Sequence, residues 1–361
     1  MSKSFDRSKI FVTSDSDGLE GVRRILDASG SSQLFKAGMK VALKPNLVVA
    51  KPASSGATTS PRVVAGTIEF LKDCGVTDII IMEGAWAGDS TERAWQVCGF
   101  RELEKKYNVR LLDLKKDHTQ KVSVAGMELE ICSSPLAVDR LINLPVLKGH
   151  CQTVMTCALK NLKGCLPDSE KRRFHRIGLH RPIAALNLAI RPDLILVDAL
   201  CGDLTFEEGD NPLEMNLLIA GSDPVKIDAY GASLLRIPLS EIEHLRLAEE
   251  VGVGSAEIRS NTITVIGGMQ IAARPHALPH AAFHLAHYVE ERDACSVCYA
   301  GLIHGLYRLK NQGSLRNLNG KIHIGQGFKD TRGAGVGYGD CASGFDKVIL
   351  GCPPTSIPNF E

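Results

Sequence analysis

Four cysteines near the end of the chain are of the type and spacing that hold metal. Cys295-Ser-Val-Cys298 is a C-x-x-C pair, and Cys341 and Cys352 follow among glycines. Four thiolates form a complete ligand set for a [4Fe–4S] cluster or for a structural zinc. Turn-forming glycines let backbone N–H groups approach the sulfurs, and those contacts tune a cluster's potential. Gly351-Cys352-Pro353-Pro354 favours iron, because a ligating cysteine followed by proline recurs in ferredoxin-type sites. Zinc sites usually pair two tight knuckles, and only one is present here. The expectation is a [4Fe–4S] cluster on Cys295, Cys298, Cys341 and Cys352, with zinc as the alternative.

The densest polar stretch runs from Leu147 to His175 and carries Lys148, His150, Thr156, Lys160, Asn161, Lys163, Lys171 and His175. Thr156, Lys160 and Lys163 stand at helical spacing, which predicts one shared helix face with Gly164 as its C-cap. A face of that kind beside His150 suits an anion or carboxylate, although an exposed lysine face has the same pattern. Cys151, Cys157 and Cys165 lack ferredoxin spacing and read as small buried residues, as do Cys74, Cys98, Cys132 and Cys201. The run Lys171-Arg172-Arg173 reads as a solvated loop.

These groups need elements to position them. Met39 to Leu43, Asp78 to Met82, Arg140 to Leu144, Leu194 to Asp198 and Leu217 to Ala220 read as buried strands. Pro61 to Cys74 reads as a helix, with Ser60 before a first-turn proline and Gly75 as its stop. Pro224 to Leu235 and Ser240 to Val251 read as helices too. Strand–helix alternation predicts an α/β fold with a largely parallel sheet. In such sheets chemistry sits beyond the carboxyl ends of the strands. There the sequence puts Lys44 and Asn46, Glu83, Lys148 and His150, Asp198, and also Asp223 and Asp228, and Thr58 is a further expected binding residue. Asp223 before Pro224 reads as a helix N-cap, whereas Glu83 and Asp198 are candidates for binding a cation or acting as a base.

Residues 1–260 are therefore assigned to an α/β domain with a polar cleft, and 261–361 to a smaller cluster-binding region. The second part holds histidines at 276, 280, 284 and 287, whose spacing suits a surface helix better than a metal face. Gly333-Ala-Gly335-Val-Gly337 does not follow a strand pattern and reads as turns rather than a nucleotide fingerprint.

Hydrophobic content of 44% and charged content of 23% are ordinary globular values. A formal net charge of +1 supplies no excess to attract nucleic acid or a membrane surface. The polar N-terminus lacks a signal-peptide pattern, and the apolar runs are strand-sized, so a cytoplasmic protein without membrane spans is expected. In a reducing compartment, eleven cysteines speak for metal or catalysis before disulfides.

Several ordered blocks resemble the family called domain of unknown function 362. They are Lys44-Pro-Asn46-Leu-Val, Ala57-Thr58-Thr59-Ser60-Pro61, Ile142-Asn-Leu-Pro145-Val-Leu-Lys148-Gly-His150, Thr156-Cys-Ala-Leu-Lys160-Asn161-Leu-Lys-Gly164 and Ser222-Asp223-Pro224-Val-Lys-Ile-Asp228. The resemblance covers about residues 40 to 255 and implies an iron–sulfur protein, often with a ferredoxin-like C-terminus. This chain departs from that by carrying only the dispersed four-cysteine set. A weaker likeness links Thr156-Cys-Ala-Leu-Lys160, Gly164-Cys-Leu-Pro167 and His175 to nickel-pincer lactate racemases. It implies Lys160 as a covalent cofactor anchor and His175 as a nickel ligand, without the glycine run that precedes the lysine there.

The resulting expectation is a redox enzyme or electron-transfer protein. It would pass electrons between the cluster, a partner, and a small anionic substrate bound by Lys44, Asn46, Lys148, His150, Lys160 and Asn161. His150 or His175 would donate the proton. The alternatives are a non-redox racemase or isomerase using Lys160 and His175 over a structural metal, and a metal-stapled binding module.

Overall fold

A computed structural model describes residues 5–204, 207–209, 211–267, 284–294, 296–318 and 320–354. His276, His280 and Cys295 lie outside the described residues. The strands are β1 (Ile10–Ser14), β2 (Lys40–Pro45), β3 (Asp78–Glu83), β4 (Arg110–Asp113), β5 (Thr119–Val124), β6 (Met127–Cys132), β7 (Arg140–Leu144) and β8 (Lys148–His150), then β9 (Val154–Thr156), β10 (Leu194–Asp203), β11 (Pro212–Gly221), β12 (Ile263–Ile266), β13 (Val289–Glu291), β14 (Ile322–Ile324), β15 (Gly333–Tyr338) and β16 (Phe345–Ile349). The helices are α1 (Leu19–Ser29), α2 (Pro61–Asp73), α3 (Thr91–Val97), α4 (Phe100–Tyr107), α5 (Ala158–Asn161), α6 (Asp168–Ile177), α7 (His180–Ala189), α8 (Pro224–Leu235), α9 (Glu243–Glu250) and α10 (Ser296–Asn311).

The protein is an α/β fold built on an eight-stranded sheet in the order β12-β1-β11-β10-β7-β2-β3-β4. Side chains alternate across it with the two-residue period of a strand. Val41 and Leu43 pack against α1 to α4 on one face, while Ala42 joins the core of the opposite face. Because both faces are covered, the central strands are almost continuously apolar. Each large side chain enclosed there contributes roughly 1.5–3 kcal/mol.

Local chemistry explains the helix starts. Ser60 accepts a hydrogen bond from the Arg62 N–H at 3.2 Å, and Pro61 occupies the first turn. Val63, Val64, Thr67, Ile68 and Leu71 then bury one face of α2. Asp223 caps α8 by accepting from Val225 N at 2.9 Å and Lys226 N at 3.0 Å.

The structure corrects four sequence expectations. First, β11 runs antiparallel to both β1 and β10, pairing Gly221 with Ile195 near the start of β10. Its carboxyl end therefore lies at the opposite rim, away from Lys44 and Glu83, which removes Asp223 from the cleft. Second, the expected lysine helix is divided: Thr156 ends β9, α5 makes a single turn, and Leu162–Cys165 is a 3-10 turn. Gly164 lies inside that turn rather than capping a helix. Third, Gly333 to Gly337 is strand rather than turns. It belongs to a four-stranded parallel sheet, β13-β14-β15-β16, packed with α10. Fourth, Lys171 sits in α6 and is buried; the run expected as a solvated loop is helical and leaves Arg172 at the surface.

Candidate functional site

One cavity of about 350 Å³ gathers the carboxyl ends of β2 and β3, the segment from β8 to α6, and the C-terminal cysteines. Its wall includes Lys44, Asn46, Glu83, Lys148, His150, Thr156, Lys160, Asn161 and His175 together with Cys298 and Cys352. The remaining two expected binding residues do not reach it. Thr58 is buried behind it and donates through Oγ1 to Lys51 O at 2.8 Å. Asp198 is spent on backbone, accepting from Ser60 N at 2.7 Å and Leu200 N at 3.0 Å. Burial pushes its carboxyl up to about 6.

At the floor, Lys44 Nζ donates to Glu83 Oε2 at 2.7 Å and to Pro45 O at 2.7 Å. Glu83 also accepts from Leu47 N at 3.0 Å and Gly84 N at 2.8 Å, so it fastens the loop that follows β2. Gly164 closes over this pair: a Cβ there would lie 2.1 Å from Glu83 Oε1 and 2.5 Å from Lys44 Nζ. Absence of a side chain, not turn geometry, is what Gly164 supplies.

A second set of buried polar groups positions α5. Asn161 Nδ2 donates to Asn143 Oδ1 at 2.7 Å and to Lys44 O at 3.1 Å, and Asn143 Nδ2 donates to Ala158 O at 2.9 Å. Asp228 accepts from Ala158 N at 2.7 Å and Leu159 N at 3.2 Å, capping the same turn from below. Asn161 is thus a strut between strand and turn, and Lys160 projects from that turn into the cavity.

The cations are the dominant feature. Lys148 Nζ donates to Ala57 O, to Glu207 O at 2.7 Å and, at 3.5 Å, to Asn46 Oδ1. Burial and nearby Lys160 bring its ammonium down to about 7. Lys160 reaches Thr156 Oγ1 at 3.4 Å, and burial brings it down to about 8. Lys163 Nζ lies 3.1 Å from His175 Nε2, and burial with its lysine neighbours holds it well below the ordinary range. Lys171 donates to Gly84 O at 3.0 Å, Ala85 O at 2.8 Å and Asp168 Oδ1 at 3.3 Å. Burial and Lys163 lower His175 to about 2, so its imidazole is neutral.

His150 is engaged at both ring nitrogens. Nδ1 accepts from Gln152 N at 3.0 Å and Thr153 N at 3.2 Å, which places the ring proton on Nε2, 3.3 Å from Glu207 Oε1. Burial, then Lys160, hold this imidazole well below its ordinary value. Glu207 also accepts from Cys151 N at 3.2 Å and Cys151 Sγ at 3.1 Å. Burial and Glu207 push the Cys151 thiol well above its ordinary value. Donor atoms of His150, Cys151 and Glu207 lie within 4.8 Å of one another, a set able to hold a metal ion. Metal at Nε2 would require the ring proton to move to Nδ1, against two backbone N–H donors, so this arrangement is better matched to protons than to an ion. Glu207, Trp86, Lys163 and Arg172 line the cavity without having been singled out as binding residues from sequence. Glu207 follows no strand pattern, and only Lys163 carried a signal, its spacing from Lys160.

The described C-terminal cysteines stand on glycine-rich turns and on α10. Cys341 lies on the turn after Gly339, and Cys352 on the turn after Gly351. Gly339 N donates to Ile349 O at 2.8 Å, Asp340 N to Gly351 O at 3.2 Å, and Gly351 N to Asp340 Oδ1 at 2.7 Å, which locks the two turns together. Gly339 and Gly351 have φ of 90° and 134°, open only to glycine at low cost. A Cβ on Gly339 would sit 4.0 Å from Cys298 Sγ, so the Cys298 helix abuts the Cys341 turn. The three described cysteines therefore come from adjoining elements.

The fold is that of an α/β protein with a cationic cleft. The profile of the family described as Domain of unknown function (DUF362) matches residues 41–233, more than half of the chain, and the chain belongs to that family. A curated relative, Thylakoid-associated protein sll1697 of Synechocystis sp. (strain ATCC 27184 / PCC 6803 / Kazusa), is 26% identical over 249 residues, covering 65% of this chain and 75% of its own. Among solved structures, the lactate racemase apoprotein from Thermoanaerobacterium thermosaccharolyticum is similar over 66% of this chain and 60% of that one, at 15% identity and a TM-score of 0.40. The chain thus spans less than two thirds of that racemase, and a likeness this loose carries no argument about cofactor or substrate. No helix among the described residues is long and apolar enough to cross a membrane.

Proposed function

We propose that this is a redox protein that binds a [4Fe–4S] cluster through Cys295, Cys298, Cys341 and Cys352 and acts on a small organic anion held in the lysine-lined cavity. The observation that carries the reading is that Cys298 and Cys352 line the same cavity as Lys148, Lys160 and Lys163. The two parts divide the labour: the large-sheet part, which extends through β12, binds the anion, and the region from β13 onward holds the cluster. When bound, such a cluster supplies one-electron chemistry.

The chain's own groups have distinct parts in this reading. Lys160, Lys163 and Arg172, with no carboxylate within 4.0 Å among the described residues, bind the anion. Lys44 and Glu83 set the floor, and Asn46, Thr156 and Asn161 hold the lysines in place. His150 and His175 are neutral near pH 7, so proton donation falls to Lys160, which titrates at about 8. Lys148, whose protons are engaged by carbonyl groups, anchors the loops around Ala57 and Glu207.

Protein purified without oxygen tests this. About four iron and four sulfide per chain are expected, with a broad visible absorption that bleaches on reduction and is lost in Cys298→Ser and Cys352→Ser. One zinc without sulfide would sink the redox reading. A second reading, a nickel-dependent racemase or isomerase, is favoured by one observation: Lys160 and His175 share the cavity. Nickel in the preparation and added mass on Lys160 would support it, and unmodified Lys160 in nickel-free protein rules it out.

A further inference from the structure

The cavity is divided by chemistry. One wall, from β8 to α6, presents Lys148, Lys160, Lys163, Lys171, Arg172 and His175. The loops after β2 and β3 contribute Val48, Val49, Trp86 and Ala87 to the lining, and Pro353 adds a further apolar residue. Trp86 lies against the backbone of Gly88, where a Cβ would fall 1.9 Å from the six-membered ring of the indole, so the absence of a side chain at Gly88 makes room for Trp86. That loop is tied down by Lys115 Nζ, which donates to Trp86 O at 2.9 Å and Asp89 O at 2.7 Å. Asp89 in turn accepts from Ala50 N at 2.9 Å, joining the two apolar loops.

A small inorganic ion would use only the lysines and leave the half-buried Trp86 and Val48 in the lining without a ligand contact. Ammonium groups act as point charges and suit a multiply charged head such as phosphate or paired carboxylates. An indole suits stacking with a ring. Anion and ring together would fill both walls.

We infer that the ligand of this cavity is an amphiphilic anion, with a head of at least two negative charges on the lysine wall and a flat apolar body against Trp86. This deepens the small-anion reading and rests on it. The cluster is not needed for the contact, so the two can fail separately.

The probes are phenyl phosphate and inorganic phosphate, titrated into the full anaerobic protein by calorimetry and by tryptophan fluorescence. Phenyl phosphate should bind at least about tenfold tighter, equivalent to about 1.4 kcal/mol. Trp86→Ala should bring the two affinities within about threefold of each other, equivalent to about 0.7 kcal/mol. Lys163→Met should weaken both probes together while the preference for phenyl phosphate persists. Equal affinity for both probes in the unaltered protein would overturn the inference while leaving the anion site intact. Absence of saturable binding by either would overturn the anion reading itself. If Trp86→Ala does not fold, Trp86→Leu, which keeps bulk without a stacking face, decides the same point by the same ratio.

Discussion

Lys44 Nζ and Glu83 Oε2 meet at 2.7 Å with both side chains enclosed, joining the carboxyl ends of neighbouring strands β2 and β3 directly beneath Gly164. Two charges removed from water are tolerated here because Glu83 also receives two backbone N–H groups and Lys44 a carbonyl. Removal of one partner leaves the other charged and alone. Lys44→Met and Glu83→Ala should each destabilise the protein by about 3–5 kcal/mol, measured by urea denaturation. The double variant Lys44→Met/Glu83→Leu should recover a good part of that loss. Additive losses would show that the pair is not coupled.

Gly164→Ala tests the same junction from above. Its methyl group has no free space, since Glu83 and Lys44 occupy its position. A cost of about 1–3 kcal/mol is expected, with weakened phosphate binding because Lys163 is the preceding residue. A variant as stable as the parent, with unchanged binding, would mean the turn moves freely.

Anion affinity should fall as pH rises. Lys148 and Lys160 titrate at about 7 and about 8, below the ordinary lysine value, and an anion favours their charged forms. Sulfate keeps its charge across this range, so its dissociation constant should increase from about pH 6 to about pH 9 as these lysines lose protons. Stability without ligand runs the other way. The unfolded lysines bind protons up to about 10.4, so between about 7 and that value the unfolded chain holds more protons and stability from these two groups rises with pH. Sulfate affinity flat over the range would argue that neither lysine faces the anion.

Asp228 is enclosed under α5 and accepts from both Ala158 N and Leu159 N. Asp228→Asn replaces one acceptor with a donor aimed at a backbone N–H. A loss of about 1–3 kcal/mol is expected. Lys160 shares that turn, so phosphate affinity should drop along with stability. Hydrogen exchange should show the loosening confined to residues near α5 rather than spread over the sheet.

Much of this architecture is legible along the chain, because burial on both faces forces apolar runs and helix starts have local chemistry. Asp78 to Met82 and Pro61 to Cys74 lie within a residue of the observed elements for that reason. Convergence of Lys44, Glu83, Lys148 and His150 followed from one rule about parallel strands. That rule misplaced Asp223, since strand direction depends on which neighbour a strand pairs with, and no local residue records that choice. The helix expected through Thr156 to Lys163 failed because Asn143 and Asp228, distant in sequence, hold the backbone groups of α5 in another shape.

Residue type and order by themselves determined the sheet, the lysine-rich segment and the four-cysteine set, since each depends on periodicity or on donors within reach along the chain. Tertiary structure alone decided which lysines share a cavity, that Glu207 meets His150 and Cys151, and that Trp86, Cys298 and Cys352 line the same cavity. Those relations join residues tens to hundreds of positions apart. They are set by packing two faces of a sheet and a second, smaller sheet against one another, which local propensity does not encode.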